Sequence, residues 1–160
     1  IIKDLSEKII KYGAKPNLNS KSPNEIIKEL TAQLEQLFVE LILKDKTKNV
    51  IYEETIKDIK VRFQKVEGLP TKELRKLVDK GKKDLGEGVV VIFATKDGKI
   101  GLAVGITDGL TKKYNAVDFV KKGSEIIGGK GGGGRPDFAQ AGGVEVNKID
   151  ESINKLKFLI

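Results

Sequence analysis

Gly88–Thr107 reads GVVVIFATKDGKIGLAVGIT. Its first half, Gly88–Thr95, is apolar throughout, the pattern of a strand covered on both faces. Its second half, Ile100–Thr107, alternates glycine with small and branched apolar residues. Between them, Lys96-Asp97-Gly98-Lys99 carries the Asp-Gly pair whose backbone tolerates the positive φ angles of a tight turn. The stretch predicts a hairpin at the centre of a sheet. A hairpin is an antiparallel pair, so helices beside it build a mixed α+β layer and not a doubly wound parallel sheet.

Outward from the hairpin the periodicity alternates between two kinds. Upstream, Ile59, Val61 and Phe63 alternate with charged residues and predict a half-exposed strand. Leu69-Pro70-Thr71 ends it and starts a helix over about 71–80, with Leu74, Leu77 and Val78 inward and Gly81 as its stop. Downstream, Asn115 is a cap for a helix over 116–127, with Val117, Val120 and Ile127 inward. A glycine-rich loop follows. Residues 146–160 then close the chain with Ile149, Ile153, Leu156 and Ile160 at helical spacing. This segment, 49–160, is expected to be a globular unit of order β–α–β–β–α–loop–α, with the glycine-rich loop between two helices.

Residues 1–48 read differently. Ile2, Leu5, Ile9 and Tyr12 fall on one helical face, and Gly13 ends it. Residues 13–21 read as a polar turn. Ser22-Pro23-Asn24-Glu25 has the form of a capping box with proline at the first helical position. The helix that follows carries Ile27, Leu30, Leu34, Leu37 and Leu41 at 3-4-3-4 spacing, a short heptad seam widened by Ile26, Phe38 and Ile42. The favoured account of this face is an antiparallel helix pair within the chain, residues 1–12 folding back on 23–46, an N-terminal helical hairpin; a homodimer is the alternative.

The composition narrows the chemistry. The 160 residues carry 30 basic and 23 acidic side chains, a net charge of +7. That moderate excess fits an anionic partner and equally fits a solvated lysine-rich surface. The chain has no Cys and no His, which removes disulfides, thiolate metal sites and the commonest general base. No apolar run reaches the roughly 20 residues that span a bilayer, and no secretory signal is evident. The chain also lacks Met and opens inside a helical pattern, as expected of a C-terminal piece of a longer cytosolic protein. Rich Lys and Glu with no Cys or Met lean towards a thermophilic source.

The glycine-rich stretch, Gly128–Gly143, reads GGKGGGGRPDFAQAGG and holds eight of the 18 glycines. A bare linker brings serine and little else. Here Lys130 and Arg135 bracket the run, and Asp137 predicts a cap for a short helix over 138–141 that Gly142 stops. Consecutive glycines expose backbone N–H groups to an anion, Lys130 adds a point charge and Arg135 a planar fork. Gln140 is placed to read a sugar or base edge, and Phe138 reads as core packing. A Walker loop needs Ser or Thr after Gly129-Lys130, and Gly131 stands there. A dinucleotide fingerprint needs a preceding strand, and a helix precedes this loop. Asp118, Glu125, Asp137 and Glu145 have no metal-type spacing. Binding of a polyanion fits better than turnover of a nucleotide.

These sixteen residues resemble the signature near the C-terminus of alanyl-tRNA synthetases, in the DHH-associated domain that also follows the catalytic domain of RecJ-type phosphoesterases. The family form has three glycines between Lys and Arg and a Met after Asp; this chain has Gly131–Gly134 and Phe138. The resemblance implies a non-catalytic domain that holds tRNA(Ala) at the outer corner of the L and couples aminoacylation with editing. It implies a cytoplasmic parent enzyme that attaches alanine to tRNA(Ala), clears mischarged Ser and Gly, and uses ATP, Mg and Zn, none of them in this segment. Carried over by position, the binding residues are Gly128, Gly129, Lys130, Gly131, Gly132, Gly133, Gly134, Arg135 and Gln140. Lys121 and Lys122 on the preceding helix add sequence-independent phosphate contacts. The alternatives are a dimerisation module and the nucleic-acid-binding domain of a DHH phosphoesterase, although a DHH motif cannot be written without His.

Overall fold

A computed structural model of the chain describes residues 1–19 and 22–160. The chain forms two compact units, Ile1–Asp45 and Lys46–Ile160.

The first unit is a helical hairpin of α1 (Ile2–Lys11) and α2 (Pro23–Lys44). Ile9 and Leu30 are its fully buried residues. Tyr12 meets Phe38 edge-on at 5.1 Å between ring centroids. Gly13 takes φ +83° and turns the chain out of α1, as expected. Gln33 then fastens the connection: its Nε2 donates to the Lys15 carbonyl at 2.6 Å, and its Oε1 accepts from the Asn17 amide at 3.0 Å. Of the polar turn expected over 13–21, Ser20 and Lys21 lie outside the described residues. Pro23 starts α2, but the Ser22 side chain makes no cap bond, so the capping box is not formed.

The second unit is a six-stranded sheet with helices on both faces. Its elements are β1 (Asn49–Ile56), β2 (Ile59–Glu67), α3 (Leu74–Leu85), β3 (Val89–Lys96), β4 (Lys99–Ile106), α4 (Ala116–Ile126), β5 (Gly132–Arg135), β6 (Phe138–Gly143) and α5 (Ile149–Lys157). The strand order is β1-β2-β3-β4-β6-β5. Only β2 and β3 run parallel, joined through α3; every other neighbouring pair is antiparallel. The class is α+β, as the central hairpin predicts. Asp97 at φ +53° and Gly98 at φ +74° make its turn.

Register and side-chain alternation assign the two faces. Val90, Gly101 and Gly105 face α3: a Cβ on Gly105 would strike Val78, and one on Gly101 would lie 2.9 Å from Leu74 Cδ1. Val89, Val91, Phe93, Leu102, Val104 and Ile106 face the other way, into a core closed by Phe119, Val120, Ile153 and Leu156 of α4 and α5. Each large side chain buried there contributes about 1.5–3 kcal/mol. Arg62 links the opposite edge. Its guanidinium holds Glu53 at 2.7 Å and Asp84 at 3.0 Å. Burial alone would lower the Arg62 pKa, but these carboxylates raise it.

Four departures from the sequence reading have local causes. β1 and its hairpin to β2 were not expected, because the turn is Lys57-Asp58, two non-glycine residues at φ +48° and +68°. The helix expected to stop at Gly81 continues to Leu85 and ends at Gly86, φ +75°. Gly81 faces the sheet, where a Cβ would sit 3.0 Å from Val90. The closing helix is also shorter: a 3-10 turn, Val146–Lys148, precedes α5. Residues 138–141 are not a helix capped by Asp137 but part of strand β6, which takes the open edge of β4. The glycine-rich stretch does lie between two helices, yet it is a β-hairpin and not an irregular loop.

Candidate nucleic-acid interface

The glycine hairpin is fastened at both ends. Asn115 caps α4 as expected, its Oδ1 accepting from the Val117 amide at 2.9 Å. At the far end of α4, the wholly buried Ser124 acts as a pin. Its Oγ donates to the Gly142 carbonyl at 2.8 Å and accepts from the Gly131 amide at 3.3 Å, while its carbonyl accepts from the Gly129 amide at 2.8 Å. The hairpin tip is tied as well. Ala116 donates to the Pro136 carbonyl and Ile106 to the Asp137 carbonyl, each at 2.9 Å.

Most of the glycines answer to this packing. Gly128 and Gly131 take φ +77° and +96°, and Gly134 takes +154°. On Gly129 a Cβ would collide with the Gly142 carbonyl and Ser124 Oγ; on Gly132 it would strike Gln140 and Ala141; on Gly134, Phe138 and Ala139. Gly133 differs: its φ is not positive, and a Cβ there would meet nothing within 4 Å. The fold alone gives no reason for glycine at 133. Its bare backbone lies on the solvent edge of the sheet, since β5 is the outermost strand.

The pairing register sorts the candidate side chains. Gly133 lies opposite Gln140, and Arg135 opposite Phe138. Gln140 in turn pairs with Ala103, and Phe138 with Gly105. All of these therefore point to the α3 face of the sheet, beyond the edge of α3. Ala139 and Ala141 point to the α4 face. Lys121 and Lys122 stand on α4 and are exposed, so they belong to the opposite layer from Arg135 and Gln140. The structure brings together Gly133, Arg135 and Gln140, leaves Lys130 exposed on the connection from α4, and sets the α4 lysines apart.

Two cations that sequence reasoning missed complete the α3 side. Arg75 Cζ lies 4.8 Å from the Phe138 ring centroid. Phe138 is half-buried beneath it and is not a core residue as expected. Lys82 Nζ lies 4.0 Å from Asp137 Oδ2, and Arg135 Nε lies 3.4 Å from Asp137 Oδ1. One carboxylate thus spaces two cations across the gap between α3 and the hairpin tip. Arg135 is exposed and its pair contributes little to stability, while Lys82 and Asp137 are half-buried; here the pairing sets position. Nothing in the local sequence links α3 to the hairpin, so only the folded sheet reveals them.

Among the described residues no group of three or more Asp or Glu is placed to hold a metal ion, and the chain supplies no His or Cys. No helix of the described residues is long and apolar enough to cross a membrane.

Comparison with known proteins identifies the family of this fold. The model of the DHHA1 domain family matches residues 58–160. The alanine–tRNA ligase of Parvibaculum lavamentivorans is 54% identical over 100 residues, which are 62% of this chain and 11% of that protein. That of Bradyrhizobium diazoefficiens is 52% identical over 97 residues, again 11% of its length. The chain therefore spans only a small part of these curated relatives. The crystal structure of the C-Ala domain from Aquifex aeolicus alanyl-tRNA synthetase superposes with a TM-score of 0.64 at 31% identity, over 68% of this chain and 96% of that one. RecJ from Thermus thermophilus shares the fold at a TM-score of 0.53 and 15% identity, over 95% of this chain and 22% of that one. With the match covering the whole sheet from the β1–β2 turn onward, and with nearly all of the C-Ala domain superposed, the chain belongs to the DHHA1 domain family as the C-terminal domain of an alanyl-tRNA synthetase.

Proposed function

We propose that this chain is a non-catalytic tRNA-binding element. In this reading it holds tRNA(Ala) at the outer corner and so keeps one tRNA engaged while a longer cytoplasmic enzyme charges it with alanine and clears mischarged Ser or Gly. ATP, Mg and Zn belong to that longer enzyme. Residues 49–160 carry the RNA contact, and residues 1–48 form a separate helical subdomain.

The observation that carries the proposal is the hairpin itself. Lys130 and Arg135 flank a strand of bare glycine backbone, both side chains are exposed, and Gln140 stands beside Gly133 on the same face. Lys130 has no ion-pair partner among the described residues. Phosphate binding is supported by this mix of a mobile ammonium, a planar guanidinium and accessible main chain. The test is binding of tRNA by the chain alone across a salt series. Lys130→Ala with Arg135→Ala should weaken binding about tenfold and flatten the slope of log K against log salt by about 1.5, as removal of two phosphate contacts requires. Unchanged affinity in the double variant would sink the site.

A second reading rests on α2. Phe38 and Leu41 are 44% and 46% exposed, large apolar side chains on the face expected to carry the seam. This supports a homodimer through the helical subdomain, compatible with RNA binding. Sedimentation equilibrium should find a concentration-dependent dimer that Leu41→Glu dissolves; a monomer at high concentration would remove the idea.

A further inference from the structure

The face that holds Arg135 and Gln140 does not end at the hairpin. Along β6, Phe138, Gln140 and Gly142 share the α3 side of the sheet, and α3 covers β3 and β4 but leaves these three beside its flank. The gap is floored by β6 and β5, walled by α3 on one side and open to solvent beyond β5, the outermost strand. At the Phe138 end stand Lys82 and Arg135, both on the Asp137 carboxylate, and Arg75 over the Phe138 ring. At the Gly142 end the gap opens into a cleft of about 550 Å³ whose lining includes Thr71, Gly101, Gly142, two cations, Lys96 and Lys99, and one carboxylate, Asp97. Lys96 and Lys99 pair with each other across the turn from β3 to β4, and alternation puts both on the α3 side. Neither has an ion-pair partner among the described residues. The floor between the two cationic ends is about 14 Å long at the rise of an extended strand.

Two glycines on this floor are not required by the fold. Gly133 has open space where a Cβ would be, and Gly142 would meet only Ile100 O at an ordinary 3.6 Å; neither has a positive φ. Elsewhere in the hairpin a glycine avoids a collision or supplies a left-handed turn. These two keep the groove low.

We propose that this groove carries the RNA backbone. Resting on the tRNA-binding reading above, the inference assigns it a path: a strand of RNA lies along β6 between α3 and β5. Phosphates meet Arg75, Lys82 and Arg135 at one end and Lys96 and Lys99 at the other. Gln140 faces the ribose or base edge between them. Asp137 is a positioning residue that holds Lys82 and Arg135 at a fixed separation. Arg75 rests on the Phe138 ring with its donors unpaired among the described residues, so its fork is oriented before the RNA arrives.

The test compares tRNA binding by the wild-type chain with three variants over a salt series. Lys96→Ala with Lys99→Ala, remote from the glycine run, should weaken binding about tenfold and flatten the salt slope by about 1.5. Gly142→Val should leave the thermal midpoint unchanged yet weaken binding at least tenfold, because the added side chain stands in the groove. The third variant is Lys121→Ala with Lys122→Ala. If it alone loses affinity while the first two match wild type, the RNA runs over α4 and the proposed path is overturned. If all three match a wild-type chain that binds tRNA, the path is likewise overturned while the tRNA-binding reading stands. A wild-type chain that binds no tRNA defeats that reading, and the path with it.

Discussion

Gly129→Ala should unfasten the glycine hairpin from α4. The new methyl would occupy the space of the Gly142 carbonyl and of Ser124 Oγ, the two groups whose 2.8 Å hydrogen bond closes the hairpin base. Either the methyl displaces the strand or the strand displaces the hydroxyl. In both cases a buried donor and acceptor lose each other. Overpacking of this kind costs 1–3 kcal/mol, and an unsatisfied buried polar group adds a similar amount. The expected loss is about 3 kcal/mol, a fall of about 10 °C in the thermal midpoint of the α+β unit, read by calorimetry or circular dichroism. RNA binding should fall with it. Ser124→Ala should give a smaller loss, since it removes the bond without adding bulk. Gly129→Ala with wild-type stability would mean that Ser124 does not pin the hairpin.

Gly105→Val should be about as damaging, for a different reason. Gly105 lies on β4 directly beneath α3, where a Cβ would run into Val78 and approach Lys82 Cε at 2.9 Å. There the side chains of Val78 and Lys82 rest directly on the backbone of the strand. Valine suits a strand by itself, so propensity argues for tolerance, and packing argues against it. The contact decides, because α3 cannot rise without giving up the burial of Leu74 and Val78, which are 1% and 0% exposed. The expected destabilisation is about 3 kcal/mol, measured by denaturant unfolding. Val78→Ala in the same chain should recover part of it, since the two substitutions share one space. Additive losses in the double variant would show that Gly105 is constrained by something other than α3.

The fold was legible wherever a short stretch carried its own answer. The apolar run of β3, the Asp97-Gly98 turn and the Asn115 cap each state their conformation locally. The Lys57-Asp58 turn does not, because left-handed lysine and aspartate are uncommon and nothing nearby advertises them. Residues 138–141 misled in a more instructive way. Ala139, Gln140 and Ala141 are good helix formers behind an aspartate cap, and that local preference is real. It loses to the open edge of β4, which offers a row of unpaired backbone groups and is defined by residues far back in the chain. The candidate site shows the same division. Lys130, Arg135 and Gln140 could be read from the glycine stretch. Arg75 and Lys82 could not, since α3 meets the hairpin only after the sheet forms. Ser124 gave no signal, being an ordinary residue at an ordinary helical position until its hydroxyl is seen to serve two strands.

The unbroken pairing of β5 with β6 bears on length variation in the glycine run. From the Pro136-Asp137 turn, Arg135 pairs with Phe138 and the ladder continues without a bulge to Gly132 and Ala141. The turn fixes this register, and β6 is fixed in turn by β4. An added residue in the glycine run has no room inside the ladder. It is taken up before Gly132, in the connection that leaves α4. One residue there moves Lys130 by about 3.4 Å along its approach, while Arg135, Gln140 and the groove floor stay where they are. Relatives that differ in glycine count would then differ in the reach of one ammonium group, a length polymorphism confined to a tether.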